Sequence, residues 1–267
     1  MKSRFSLQRS LKTRVTLFTL GIFVISLWAL SFFASRMLQE DMQRMLGDQQ
    51  FSVVSLVAAE INDELSARIE ALALVAVHID AHQINHPAAL QAALEQVPLL
   101  RRLFNGGLIV TGTDGTAIAD LPMSNGRIGT NYMDRDAVSI PLKQGKPAIS
   151  RPVIGKKLGA PLFSIGSPIR DGAGTVIGTL VGTINLGLPN FLDNITKGKY
   201  GASGGFLLIA PNERLVVTAS DKRRVMESLP AAGIIPGMDR MLNGFEGTDI
   251  FVNARGREVM NSGKIIP

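Results

Sequence analysis

Between Arg14 and Arg36 the sequence VTLFTLGIFVISLWALSFFAS, Val15 to Ser35, runs for 21 residues without one charged side chain. At 1.5 Å per residue a helix of that length spans about 30 Å, the hydrocarbon thickness of a bilayer. A cleaved signal peptide has a shorter apolar core, about 7 to 15 residues, and a small-residue cleavage site, which the stretch before Arg36 supplies poorly. The expectation is therefore an uncleaved transmembrane anchor. Lys2, Arg4, Arg9, Lys12 and Arg14 precede the span, whereas Arg36 is soon followed by Glu40 and Asp41. The positive-inside rule then places residues 1–14 in the cytoplasm and residues 36–267 outside it. No later segment reaches 18 consecutive apolar residues, so nothing returns the chain across the membrane.

Those five basic residues also account for the formal net charge of +6: of 28 Lys and Arg, the remaining 23 balance 22 Asp and Glu. A nucleic-acid footprint needs a basic face spread over the folded domain, and this distribution offers none. The absence of cysteine rules out a disulfide framework, a thiolate nucleophile and any cysteine metal site.

Beyond the membrane, Leu38 to Ile79 contains no proline and only Gly47 interrupts it, while Val54, Val57, Ile61, Leu65, Ile69, Leu72, Val75 and Ile79 step by threes and fours. This predicts one long amphipathic helix. Its stripe fits either a coiled-coil seam for a homodimer or a face laid on its own domain. His86 precedes Pro87, which disfavours helical dihedrals, so the helix is expected to end there, with a shorter one over Pro87 to Leu103.

The period then changes to that of strands: Leu108 to Thr113, Thr116 to Asp120 after an Asp114-Gly115 turn, Ala148 to Ile154, Leu162 to Ile169 and Thr175 to Leu186. Met133 to Gln144 fits a short helix, and Arg170 to Gly174 a turn between two long antiparallel strands. The expected fold class is α+β, with a five-stranded antiparallel meander. After a helix at Leu188 to Lys197, a glycine-rich connection leads to a second, smaller set: strands at Phe206 to Ala210 and Leu215 to Ala219, a helix near Lys222 to Leu229, and strands near Asp249 to Asn253 and Glu258 to Ser262. This second sheet reads as unfinished at Pro267, so a truncated chain is expected.

Two segments carry a family resemblance. The first is Gly129 to Leu186, with NYMDRDA, GKPAISRPV and APLFSIGSPIRDGAGTVIGTLVGTINL; the second is GASGGFLLIAPNERLVVTASDKRRV, Gly201 to Val225. In this order they resemble the double Cache sensor region of bacterial transmembrane receptors. The resemblance implies a long helix and helical connection at 36–104, a membrane-distal PAS-like module at 105–188 and an incomplete membrane-proximal one at 189–267. It further implies a small-molecule ligand outside the bacterial inner membrane, and an output such as a diguanylate cyclase, phosphodiesterase, histidine kinase or chemotaxis module that this sequence lacks. The tryptophan-containing, arginine-led motif of amino-acid-binding members is also missing, because the sole tryptophan is Trp28 in the membrane span.

Asp134-Arg135-Asp136 opens the predicted short helix beside Tyr132, a region that borders the ligand cavity in the resembling family. Arg135 suits a ligand carboxylate bidentately, and Tyr132 adds a hydroxyl and an aromatic wall. Against this stand plainer roles, Asp134 as a helix cap and Arg135 as the partner of a nearby carboxylate. Ser164 lies on the strand that the family places across the pocket floor, and alternation puts it on one face with Gly166. The candidate ligand-binding residues are thus Tyr132, Asp134, Arg135 and Ser164.

No catalytic residue, cofactor or metal site is expected. His78, His82 and His86, spaced by four, would line one helix face, but the outer two stand about 12 Å apart and no cysteine completes a site. Gly201-Ala-Ser-Gly-Gly205 matches a nucleophile elbow in letters only, since a strand follows it and every histidine precedes it. Lys156-Lys157 and Lys222-Arg223-Arg224 read as solvated charge runs. The leading functional expectation is a non-enzymatic, ligand-sensing input region. The alternatives are an anchored structural or partner-binding protein without a ligand and, against the lack of histidine in the strand region, an anchored enzyme.

Overall fold

The protein, as a computed structural model, is described over residues 11–196, 200–201 and 204–267. Lys2, Arg4 and Arg9 of the basic tail, Gly198 of the glycine-rich connection and Ser203 of the elbow-like match lie outside these residues.

Helix α1, Leu11–Ala76, is one continuous element of 66 residues, about 100 Å long. Its first part is the membrane candidate: Phe18, Phe23, Ile25, Trp28 and Phe33 are all exposed, as an apolar helix is when lipid is its proper solvent. This is the one helix among the described residues long and apolar enough to cross a membrane. Further along, Ile61 and Leu72 are buried, with Val57, Leu65, Ile69 and Val75 packed against the same core. The three-and-four stripe therefore lies on the chain's own core.

The helix stops at Ala76, eleven residues before Pro87. Asp80 caps a new helix, α2 (Ala81–Asn85), by a reciprocal box: Gln83 N donates to Asp80 Oδ1 at 2.8 Å and Asp80 N to Gln83 Oε1 at 3.0 Å. This local competitor corrects two expectations. His78 lies in the turn beyond α1, so the three histidines do not share one helix face, and only His82 and His86 stack. The expected helix over Pro87 to Leu103 is likewise two, α3 (Pro87–Glu95) and α4 (Pro98–Leu103), because Pro98 breaks the helical geometry of Val97 before it.

The main sheet contains β1 (Leu108–Thr111), β2 (Ala117–Leu121), β3 (Ala148–Ile149), β4 (Val153–Ile154), β5 (Pro161–Arg170) and β6 (Val176–Asn185). All pairings are antiparallel, in the order β2-β1-β6-β5-β3, with β4 also on β5. It is not a meander, since β1 sits between β2 and the last strand, closing long-range contacts that strand periodicity cannot signal. The expected strand Ala148 to Ile154 is interrupted at Arg151-Pro152, where a proline cannot donate to the ladder. In the β5–β6 turn, Asp171 Oδ1 accepts from Ala173 N and Thr175 N at 3.0 and 2.8 Å.

The sheet is two-faced. Leu108, Val110, Phe163, Ile165, Ile169, Leu180 and Ile184 form one core with α1, α3 and α4. The other face carries Ile109, Ser164, Gly166, Val181 and Thr183, and helix α5, Asp136–Gln144, crosses it. Gly166 permits that crossing: a Cβ there would stand 1.7 Å from the Ala137 carbonyl oxygen.

Helix α6 (Phe191–Thr196) leads to two hairpins, β7 (Leu207–Ala210) with β8 (Leu215–Ala219) and β9 (Gly247–Val252) with β10 (Glu258–Gly263), separated by α7 (Pro236–Leu242). The hairpins form separate two-stranded sheets. The helix expected at Lys222 to Leu229 is a single turn, Lys222–Arg224, after which residues 226–228 run beside β8. Arg68, 5% exposed, ties α1 to α6 by stacking 3.7 Å over the Phe191 ring. Thr248 Oγ1 donates to the Gly47 carbonyl at 2.8 Å and Gln50 Nε2 to the Met260 carbonyl at 3.2 Å, seating β9–β10 on α1.

Gly166→Ala is expected to force α5 off the sheet, an overpacking cost of about 1–3 kcal/mol or more. The melting temperature followed by circular dichroism should fall by at least about 2 °C; an unchanged melt would contradict the close crossing.

Candidate ligand-binding cleft

The small residues that let α5 approach β5 do not extend the length of the sheet face. Helix α5 begins at this point, with its second residue Ala137 over Gly166, and runs toward Arg170, which donates to the Gly145 carbonyl; on the Ser164 side the segment 150–158 flanks the sheet face instead. Between them lies a cleft with about 500 Å³ of empty space, its open mouth included. The floor is Ile109, Ser164, Val181 and Thr183, and the sides come from Tyr132 to Val138 and Ser150 to Leu162.

Three of the four predicted residues meet here: Tyr132, Arg135 and Ser164 line the cleft, and Asp134 holds one of its walls from outside. Ser164 Oγ lies 3.3 Å from Thr183 Oγ1, and its backbone N–H donates to Ser150 Oγ at 2.9 Å. Tyr132 is 8% exposed; burial raises its pKa above the usual phenol value against the opposing Arg127 charge, so it remains a neutral hydroxyl. Lys156 Nζ lies 5.5 Å from the centre of its ring.

Asp134 does not cap α5. The N-cap position is Arg135, without a side-chain cap bond, and Asp136 occupies the first turn. Asp134 instead accepts from Lys156 Nζ at 2.6 Å and faces Arg135 Nε at 3.5 Å. Partial burial works to raise its pKa, but the Lys156 hydrogen bond and the two cations outweigh it and hold the carboxyl below the usual range. Arg135 is loosely held: its other contact, to the Ile154 carbonyl, is also 3.5 Å.

Sequence reasoning missed the strongest electrostatic feature. Arg127 and Asp120 are 3% and 0% exposed, and Arg127 Nε donates to Asp120 Oδ1 at 2.8 Å while Arg127 N donates to Oδ2, also at 2.8 Å. The remaining guanidinium donors reach the carbonyls of Gly106, Leu108 and Leu121 at 3.0 to 3.2 Å. A buried pair satisfied this fully closes the inner end of the cleft. The one available signal was an aspartate amid the apolar residues of a strand, since Asp is seldom buried unless paired. Lys156 and Lys157, read as a solvated run, are exposed but stand on the rim of the cleft.

No protein-family model and no curated protein matches the sequence. Among solved structures, the ligand-binding domain of the Pseudomonas aeruginosa PAO1 amino acid chemoreceptor PctB, in complex with L-Arg, matches at 24% identity and a TM-score of 0.64, over 81% of this chain and 80% of that one. The corresponding domain of PctC from the same organism, in complex with GABA, matches at 19% identity and a TM-score of 0.60, over 83% and 91%. That of Pseudomonas fluorescens chemoreceptor CtaA with L-alanine matches at 19% and 0.59, over 80% and 88%. The chain thus has the α+β fold of chemoreceptor ligand-binding domains, and the double Cache resemblance read from its sequence is borne out at the level of fold.

Asp120→Asn leaves the Arg127 guanidinium buried without its counter-charge, which costs about 3–5 kcal/mol. A lowering of the unfolding free energy by that amount in urea titration is expected; a loss below about 1 kcal/mol would show that the pair does not hold the cleft wall.

Proposed function

We propose that this chain is the ligand-sensing input region of a membrane signalling receptor. In this reading Val15–Ser35 anchors it in a bacterial inner membrane with the N-terminus in the cytoplasm, and residues 36–267 face the periplasm. The carrying observation is the arrangement of the main sheet, whose two faces belong to different tasks. One face forms the floor of a polar-rimmed cleft; the other is buried on the helix that runs unbroken into the membrane segment. A ligand that binds two arrangements of the cleft unequally shifts the balance between them, and the sheet then shifts against α1.

The similar solved structures bind amino acids, which supports a small-molecule ligand here. Residues 105–188 would be the membrane-distal sensing module and 189–267 the membrane-proximal one that meets α1 near Gly47. Binding without chemistry is the reading for the cleft, whose lining among the described residues contains no histidine or acidic residue. A homodimer along α1 is also proposed. Its buried stripe is used within the chain, but Leu38, Met42, Met45, Leu56 and Leu74 remain exposed on the part beyond the membrane.

The test is a thermal-shift screen of the full chain in lipid nanodiscs against small polar metabolites. At least one compound should raise the melting temperature, and Ser164→Trp, which fills the cleft floor, should abolish that shift. A screen in which no compound stabilises the wild-type chain would overturn the sensing role.

A further inference from the structure

We infer that the cleft selects a small organic carboxylate that carries no ammonium group, with a hydroxy acid as the best match. This rests on the sensing role proposed above and narrows its ligand.

Charge is the first constraint on what can enter. Arg127, Arg135, Lys156 and Lys157 line the cleft, and no Asp or Glu among the described residues does so. The carboxylates nearby are already engaged. Asp120 is fully buried beneath Arg127, Asp134 is shared by Lys156 and Arg135, and Asp136 faces Arg151 at 4.0 Å. Setting Asp120 against Arg127 and Asp134 against one of its two cations leaves two positive charges uncompensated. An entering ammonium would meet no carboxylate in the lining and four like charges, whereas an entering carboxylate replaces a missing counter-ion.

The individual cations are not equivalent. Arg127 is fixed by short bonds to Asp120 and three carbonyls and has no fork to offer. Arg135 has only 3.5 Å contacts, to Asp134 and the Ile154 carbonyl, so its planar donors can turn to a carboxylate bidentately. Lys157 lies within ion-pair distance of no described carboxylate and stands on the same rim.

Below that rim the chemistry changes. Val138, Leu162 and Val181 provide apolar wall for a short carbon body. On the floor, Ser164 Oγ and Thr183 Oγ1 stand 3.3 Å apart, a long contact in which either donates, leaving capacity for one uncharged ligand oxygen. A carboxylate at one end and a hydroxyl on a short skeleton satisfy both levels. A second ionised group deep in the cleft does not, since Arg127 is already neutralised there.

Isothermal titration calorimetry on the full chain in nanodiscs, with matched twins, tests this directly: glycolate against glycine, L-lactate against L-alanine, and L-2-hydroxyisovalerate against L-valine. At least one hydroxy acid should bind, more than about tenfold tighter than its amino twin. Arg135→Gln should weaken that binding by about tenfold or more while the melting temperature of the unliganded chain stays unchanged. An amino acid binding as tightly as its hydroxy twin overturns the inference and leaves the sensing role standing. The inference is equally overturned, with the sensing role intact, if only cationic or neutral compounds bind, or if Arg135→Gln leaves the hydroxy-acid affinity unchanged. Failure of every compound in both this set and the wider screen removes the sensing role as well.

Discussion

A backbone that crosses hydrocarbon has to satisfy its own hydrogen bonds, and a helix is the only way a single segment does so. Here that helix continues past the membrane candidate without a break, because neither proline nor a local capping signal intervenes until Asp80. The consequence governs the rest of the molecule. The anchor and the foundation of the main sheet are the same rod, and Leu72 packs into the core about 55 Å along the axis from Ser35. Everything outside the membrane is assembled on one side of that rod.

With one sheet face committed to α1, the chemistry has to lie on the other, and steric detail decides where. Gly166 draws α5 down onto β5, while Ser164, two residues earlier on the same face, lies where the helix no longer covers the strand. A cleft forms at the step between them. Its inner end is polar, yet the polar groups there are closed on themselves: Arg127 and Asp120 compensate each other and use the free carbonyls around them. Only the outer rim, where Arg135 and Lys156 share Asp134, has unspent charge.

What the sequence revealed followed distance along the chain. The membrane span, the long amphipathic stripe and the two long strands of the hairpin turning at Asp171 to Gly174 are local periodic signals, and each lies within a residue or two of its observed element or packs as its period implies. Tyr132, Arg135 and Ser164 came from the double Cache resemblance, which sets that helix start and that strand beside a ligand cavity; strand alternation added only the face on which Ser164 lies, and the three do line one cleft. Failures came where a short-range competitor or a long-range partner decided the outcome. Asp80 and Gln83 ended α1 early, Pro98 split the following helix, and Arg151-Pro152 divided a strand. The position of β1 between β2 and β6 and the pairing of Arg127 with Asp120 depend on chain closure, which no window of sequence displays. Asp134 falls between these cases: it was read as a ligand group or a cap, and it is the counter-ion that positions Lys156 and Arg135.

Two of the places where the extramembrane structure grips α1, besides the Arg68–Phe191 stack, bear on what such a rod can transmit. Near Gly47 the β9–β10 hairpin is held by two hydrogen bonds to and from helix backbone and a glutamine; near Leu72 the main sheet is held by apolar packing. These points are 25 residues apart in the sequence, about 38 Å along the axis. Hydrogen bonds fix register to within a few tenths of an ångström, whereas an apolar interface has alternative packings at discrete offsets. A change in the cleft that repacked the sheet on α1 would therefore move the helix relative to the sheet while β9–β10 kept its register on the helix. In the proposed sensing role the hairpin and the membrane segment, about 18 Å apart on the same rod, would then move together, with the lower hairpin riding on the helix and the upper sheet as the part against which it would slide.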